Sequence, residues 1–484
     1  MQETTRRGIW AWPRIELVAA GVALEIWALV ALVRPPGADI PRHVALMLLA
    51  MLVYAASLHA VLSPSRDRMR ADLLWIFAVA VALRVTMLFT TPSLSDDIYR
   101  AVWDARLVHA GVNPYLYAPA DPALAIFRDE TIWPSVNHKE QRTPYPPGAE
   151  LFGGLAYALV PEQLLSMQLL AAGADLLALG MLGWLLFRLG LDPRRSLAIA
   201  WSPLSIVHFA HSGHNDAIIV AGLVGAALLL SFGRKGGAAV ALAIATMTKA
   251  TPVLALPSFA RAGGRWLTLT WAVCCAMVTL PFIGAGPLLW SGIAEEAGGA
   301  RFNESAHLVI ERALSLLGPG VGALGAAAFA AFALLAATLM AYVRGGADPR
   351  SALVGGSRVL AVYLLVAPVV EPWYLTWLAP LVAFELRRGN GLIPFAANDA
   401  LAVTWLAGAV TLTDLTYLPG NDSLWPAIRA IEYLPMYAIL AFWIVGSVRH
   451  RNARNTVSTG HDTSITGRSQ ALDAPDAKGL GFHI

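Results

Sequence analysis

Apolar runs near 20 residues long recur along this chain from Ile15 to Val448, and they settle the solvent in which it must fold. A helical run of about 20 apolar residues crosses a hydrocarbon core of about 30 Å. Backbone polar groups left unpaired in lipid are costly, so only helices or a closed barrel can span it. The runs are continuous and rich in Leu and Ala, without strand alternation, which selects helices. Composition agrees: 57% of residues are hydrophobic and 14% charged, where a soluble domain carries about 25% charged residues. The expected class is all-α, a polytopic integral membrane protein with about 12–14 transmembrane helices, a long outer loop and interfacial helices.

The first run, 15–33, follows Arg6, Arg7 and Arg14. It is long for a signal peptide, and Val33-Arg34-Pro35-Pro36 is no small-residue cleavage site, so a retained anchor is expected. Cys274 and Cys275 are adjacent in an apolar stretch, which fits neither a disulfide framework nor a metal site. A net charge of +3 makes no case for nucleic acid. The polar stretch 449–484 has no apolar period and is expected to be a disordered tail.

Short loops rich in Lys and Arg stay cytoplasmic. Basic clusters lie at Arg6/Arg7/Arg14, Arg66/Arg68/Arg70, Arg188/Arg194/Arg195, Arg234/Lys235, Arg261/Arg265, Arg344/Arg350, Arg387/Arg388 and Arg449/Arg451/Arg454. With all of them on one side, parity allows one crossing within 148–187, at 163–187, and makes 147–160 an interfacial helix. Further spans are expected at 195–210, 215–233, 266–285, 321–343, 357–371, 374–386, 392–412 and 428–448. A short hairpin between Lys235 and Arg261 then turns near Lys249. Loop 92–147, His214-Asn215-Asp216, Lys249, loop 286–320 and Glu371-Pro372-Trp373-Tyr374 all face outside.

These outer segments carry the unusual polar residues. Asp96-Asp97 can bind a cation or supply a general base for a hydroxyl, and can equally be helix-cap residues. Their loop runs on through Arg100, Trp103, Asp104, Tyr115, His138, Arg142 and Tyr145; at about 55 residues it is far longer than a connector. His208, His211 and His214 recur every third residue, a zinc-like spacing, but Gly213 and helical drift favour a capped interfacial loop over a metal site. Lys249, isolated in an apolar hairpin, either snorkels to water or binds an anionic headgroup. Glu371 stands before Pro372, where a helix breaks. Arg84 and Asp175, within spans, suit a structural ion pair; Glu25 is a third charge in a span. After Arg301, the stretch 306–317 is amphipathic and expected to be interfacial.

Taken in order, Ser95-Asp96-Asp97-Ile98-Tyr99-Arg100, Trp103-Asp104, Asn113-Pro114-Tyr115, Tyr145-Pro146-Pro147, Ser212-Gly213-His214-Asn215-Asp216, Thr248-Lys249-Ala250-Thr251-Pro252 and Glu371-Pro372-Trp373-Tyr374 resemble the glycosyltransferase C (GT-C) superfamily. They are most similar to its bacterial polyprenol-phosphate-mannose-dependent mannosyltransferases. The resemblance covers roughly 72–390, leaving membrane helices at 1–71 and 391–448 on either side. It implies a base on the acceptor hydroxyl, Asp96 with Asp97 as the alternative, and a lipid-phosphate sugar donor. Lys249, Arg100 or Arg301 would meet the donor phosphate. Trp103, Tyr115, His138, Tyr145, His214, Asn215, Asp216, Glu371, Trp373 and Tyr374 would bind substrate. It further implies a glycolipid or polysaccharide acceptor, inversion at the transferred sugar, and a site on the non-cytoplasmic face of the plasma (inner) membrane. No cofactor is required; the Asp pair has room for a divalent metal that a monophosphate leaving group does not need. The pattern departs from the family in having two spans before the one that leads into the Asp loop. The competing class is a lipid or solute transporter or flippase, in which the same polar cluster is a substrate path.

Overall fold

A computed structural model describes residues 12–63, 68–318, 320–389 and 394–461. Arg6, Arg7 and Arg66 of the basic clusters lie outside the described residues, as does the tail from 462 onward. Among the described residues the chain is helical without a strand, apart from two isolated bridges. It is an all-α, multi-pass membrane protein.

Eight helical segments are long and apolar enough to cross a bilayer: Ile15–Val33, Ile40–Val61, Met69–Leu88, Leu165–Arg188, Arg265–Glu296, Val321–Arg344, Asp399–Tyr417 and Asn421–Ser447. Two shorter apolar helices, Asp216–Ser231 and Lys235–Thr248, pack among them. The further helical segments 193–211, 251–263, 349–366 and 372–385 pack between them. Asp216–Ser231 is buried on nearly every side, whereas Val321–Arg344 buries little beyond Gly322 and Ala326 and presents Leu324, Phe332, Leu335 and Leu339 outward. An apolar face this continuous along a 24-residue helix suits lipid rather than water.

The basic residues meet at one end of these passages. Arg14 and Arg194 both bond Asp72, at 2.8 and 3.0 Å. Arg188 donates to Ser231 O, Arg261 to Gly345 O and Arg195 to Ala383 O, while Arg350 pairs with Glu385. The Asp97, His214, Lys249 and Glu371 segments lie at the opposite helix ends.

The structure departs from the expected single span at 195–210. Pro203 interrupts it, leaving Leu197–Ala200, the short turn Pro203–Ser205 and a π-helical turn Ile206–His211. Freed carbonyls within a membrane need partners. Arg84 provides two: its Nη1 donates to Ala200 O at 2.6 Å and its Nη2 to Ile199 O at 3.1 Å. The same guanidinium holds Asp175 Oδ2 through Nε at 3.0 Å and Nη2 at 2.6 Å, the ion pair expected from the sequence. Gln168 Nε2 covers the far end, donating to the carbonyls of Thr90, Ala210 and His211. Glu25, the third charge in a span, accepts from Thr86 Oγ1.

The short hairpin turns at Lys249, whose backbone is extended (φ −151°, ψ 139°) between Lys235–Thr248 and the helical pieces Thr251–Ala255 and Leu256–Gly263. Helices Pro147–Leu159 and Ala306–Ser315 stand where interfacial helices were expected. Beyond Val448 the helix Trp425–His461 continues into the stretch expected to be disordered. No Pro or Gly intervenes between Val448 and Gly460 to stop it.

Candidate active site

Helix Asp97–His109 starts the long loop 92–147, with Ser95 Oγ accepting from Asp97 N at 3.2 Å. It packs against Pro147–Leu159. Gly213, at φ +72°, turns the chain from the π-helical segment into Asp216–Ser231; a Cβ there would lie 2.8 Å from Ile98 Cδ1. The positive φ and the close approach together call for glycine. This contact sets the Asp97 helix against the His214 turn.

The result is a cavity of about 510 Å³ whose wall includes Asp97, Arg100, His138, Tyr145, His214, Asn215, Asp216, Lys249, Glu371, Trp373 and Tyr374. Most of the candidates read from the sequence thus converge. Asp97 lines the cavity; Asp96 is exposed and outside its lining. Asn137 Nδ2 donates to both carboxylates, at 2.9 Å to Asp96 and 2.7 Å to Asp97. Burial raises the Asp97 pKa, the Asn137 bond opposes this, and the neighbouring Asp96 charge raises it further.

His214 stacks on Trp373 at 3.7 Å and 17°, with Nδ1 4.0 Å from Asp97 Oδ2. Its Nε2 is buried without a hydrogen-bond partner, and burial pushes its pKa well down, keeping the ring neutral. Asp216 accepts from Lys249 Nζ at 3.2 Å and from Trp377 Nε1 at 2.8 Å, and Lys249 sits 3.9 Å over the Tyr374 ring. Glu371 is pushed up to about 8, chiefly by burial and then by Asp97, against the pull of Lys249.

Besides Asp96, three candidates stand away from the lining. Trp103 is fully buried against Trp133, 4.9 Å between ring centroids, in the loop's own core. Tyr115 is also buried and acts one step back, its hydroxyl donating to Tyr145 O at 2.8 Å. Arg301 bonds His307 Nε2 at 2.6 Å and Glu311 at 3.2 Å on the helix that follows it. The three histidines do not converge: His211 bonds Thr90 and Ser93, and the His208 and His214 ring centroids are 5.8 Å apart. Among the described residues, no group of three His, Cys, Asp or Glu is placed to hold a metal ion.

Asn137, Gln141, Glu150, Glu296 and Tyr363 also line the cavity and were not singled out in the sequence; Arg142, named there among the loop's residues without a role, lines it too. Glu150, alone in the apolar helix Pro147–Leu159, carried a signal of the same kind as Lys249: an isolated charge in an apolar stretch. It accepts from Thr143 Oγ1 at 2.7 Å, and burial holds its carboxyl well above the usual range.

Residues 25–264 match the family described as "Alpha-(1->6)-mannopyranosyltransferase, N-terminal domain". That stretch holds Asp97, His214 and Lys249, with Glu371 beyond it. An alpha-(1->6)-mannopyranosyltransferase A of Corynebacterium glutamicum is 28% identical over 194 residues, 39% of this chain. The match spans 38% of that relative's length. A second protein of the same name, from Mycobacterium tuberculosis, is 23% identical over 413 residues, covering 76% of this chain and 72% of the relative. The likeness carried by Ser95-Asp96-Asp97 and its companion motifs is therefore a likeness to the alpha-(1->6)-mannopyranosyltransferases, to which this chain is related.

Proposed function

We propose that this protein transfers mannose from a polyprenyl-phosphate-linked donor to a hydroxyl of a glycolipid or polysaccharide acceptor. The single observation behind this reading is the partly buried Asp97 carboxylate, which shares one cavity wall with Lys249 and the His214–Trp373 stack. Asp97 takes the proton of the acceptor hydroxyl as its oxygen attacks the anomeric carbon. The bond from that carbon to the phosphate oxygen breaks, and lipid phosphate leaves with the electron pair. A positioned base and cations on the leaving group are the two requirements of such a displacement. Inversion turns a β-linked donor into an α-mannoside, the linkage in the relatives' names. The aromatic rings of the wall offer faces to the sugar.

The cavity lies at the end of the bundle opposite the basic residues, which supports a non-cytoplasmic site in the plasma (inner) membrane. The reaction needs no cofactor, because a monophosphate leaving group is met by side-chain cations. To test the reading, purified full-length protein receives labelled polyprenyl-phosphate mannose and an α-mannoside acceptor. Free lipid phosphate should appear in step with labelled product, with and without EDTA. Movement of intact donor across proteoliposomes without phosphate release would establish the transporter class instead.

A further inference from the structure

We propose that Arg142, a residue none of the motifs contains, is the guanidinium that receives the donor's lipid phosphate; this rests on the transferase reading. The argument comes from where each cation is engaged. Arg100, 3% exposed, bonds Asp104 through Nε at 2.9 Å, His138 O through Nη1 at 3.3 Å and Gln141 O through Nη2 at 3.1 Å. Lys249 is paired with Asp216 and Arg301 with Glu311. Arg142 lines the same cavity, and its side chain makes one long bond, from Nε to Leu116 O at 3.4 Å. Among the described residues no carboxylate stands within ion-pair distance of it, and both terminal nitrogens are without a protein partner. A guanidinium fork with two free N–H edges is suited to bidentate phosphate recognition.

Its backbone is held in place. Helix Ser291–Gly299 rests on it through Gly292, where a Cβ would lie 2.6 Å from Arg142 O and 2.2 Å from Thr143 O. Thr143 is tied in turn to Glu150 at 2.7 Å. The cavity's carboxylates do not cancel the charge. Asp104 and Asp216 are paired, and burial disfavours the charged forms of Glu150 and Glu371, raising both carboxyls above their ordinary range. Asp97 and Glu296 are the other acidic residues of the lining, and neither is within ion-pair distance of Arg142. Lys249 and Arg100 thus shape the wall, and Arg142 brings the charge that is free to meet an anion.

The test measures binding of short-chain polyprenyl phosphate to full-length protein in nanodiscs, with the matching polyprenol as the uncharged control. Bonds to a charged group contribute about 1.5–3 kcal/mol, so R142A should bind the phosphate about 10- to 100-fold more weakly while polyprenol binding is unchanged. Equal affinity for polyprenyl phosphate in both proteins overturns the assignment, and so does a parallel loss for polyprenol, which marks a structural role. Inorganic phosphate displacing the lipid at equal concentration would assign the site to free anion and likewise overturn it. If R142A does not fold, R142K keeps the charge without the fork; it should bind several-fold more weakly, and wild-type affinity would refute the proposal. Mannosyl transfer by wild type, scored separately, judges the transferase reading by itself.

Discussion

Replacing Asp97 with Asn tests the chemistry at the least structural cost. Asn137 donates to Asp97 Oδ1 at 2.7 Å, and an Asn side-chain carbonyl in the same place accepts that bond equally well. Volume is conserved, and the repulsion from Asp96 is removed, so D97N should fold with wild-type stability or slightly better. What is lost is the group that takes the acceptor's proton. General bases contribute about 10²–10⁴-fold, or about 2.7–5.4 kcal/mol at 1.36 kcal/mol per tenfold. D97N should therefore transfer mannose at most about one-hundredth as fast, with donor affinity retained. D96N, exposed and outside the cavity, should stay within about twofold of wild type, the usual scale for a surface change. The assay is release of lipid phosphate by purified protein, with a thermal melt on each variant. The pH profile adds an independent reading. Burial raises the Asp97 pKa, so the base loses its ionised form at higher pH than an exposed Asp would, and kcat/KM should fall on acidification above the ordinary Asp range. D97N activity above one-tenth of wild type, with D96N inactive, would move the base to Asp96 and refute the geometric argument.

Other expectations follow from the same wall. K249A removes the partner of Asp216, whose side chain is 2% exposed, and should lower stability by about 3 kcal/mol in thermal melts; adding D216N should restore most of it. If D216N brings no recovery, Lys249 is held by something other than that pair. Glu371 has a folded pKa of about 8 against an ordinary 4.5, so the folded state binds the extra proton and stability should fall as pH rises from 4.5 towards 8. E371Q should flatten that decline, and equal slopes in melts at pH 5, 7 and 9 would discount it. His214 is a neutral residue of the cavity wall whose buried Nε2 has no partner, so H214A should raise a substrate KM about tenfold, one hydrogen bond's worth, without altering the shape of the pH profile between 5 and 8. A shifted profile would mean that the ring titrates.

What was legible in the sequence, and what was not, follows from which forces act locally. Lipid makes every span obey one rule, so the passages and the gathering of basic residues at one end could be read from hydropathy and Arg/Lys positions. Lys249 and Arg84 stood out because a charge in an apolar run always needs a reason, and each has one in the structure, Asp216 and Asp175. The broken passage at 193–211 was hidden, because its carbonyls are satisfied by Arg84 and Gln168 from distant helices. The choice between Asp96 and Asp97 was hidden for another reason. Neighbouring residues on a helix point about 100° apart, so only one of the pair can face a cavity, and which one does depends on packing such as Ile98 on Gly213. Trp103 and Tyr115 were read as substrate contacts because the motifs Trp103-Asp104 and Asn113-Pro114-Tyr115 carry the resemblance to the GT-C enzymes. A loop this long also has to bury a core of its own, to which Trp103 belongs, and to anchor on its neighbours, which Tyr115 does against Phe282, Ala285 and Leu289. Arg142 was the hardest to see. An arginine in a polar loop carries no local signal, and its importance lies in partners it lacks. That becomes visible only once Arg100, Lys249 and Arg301 are each found already engaged.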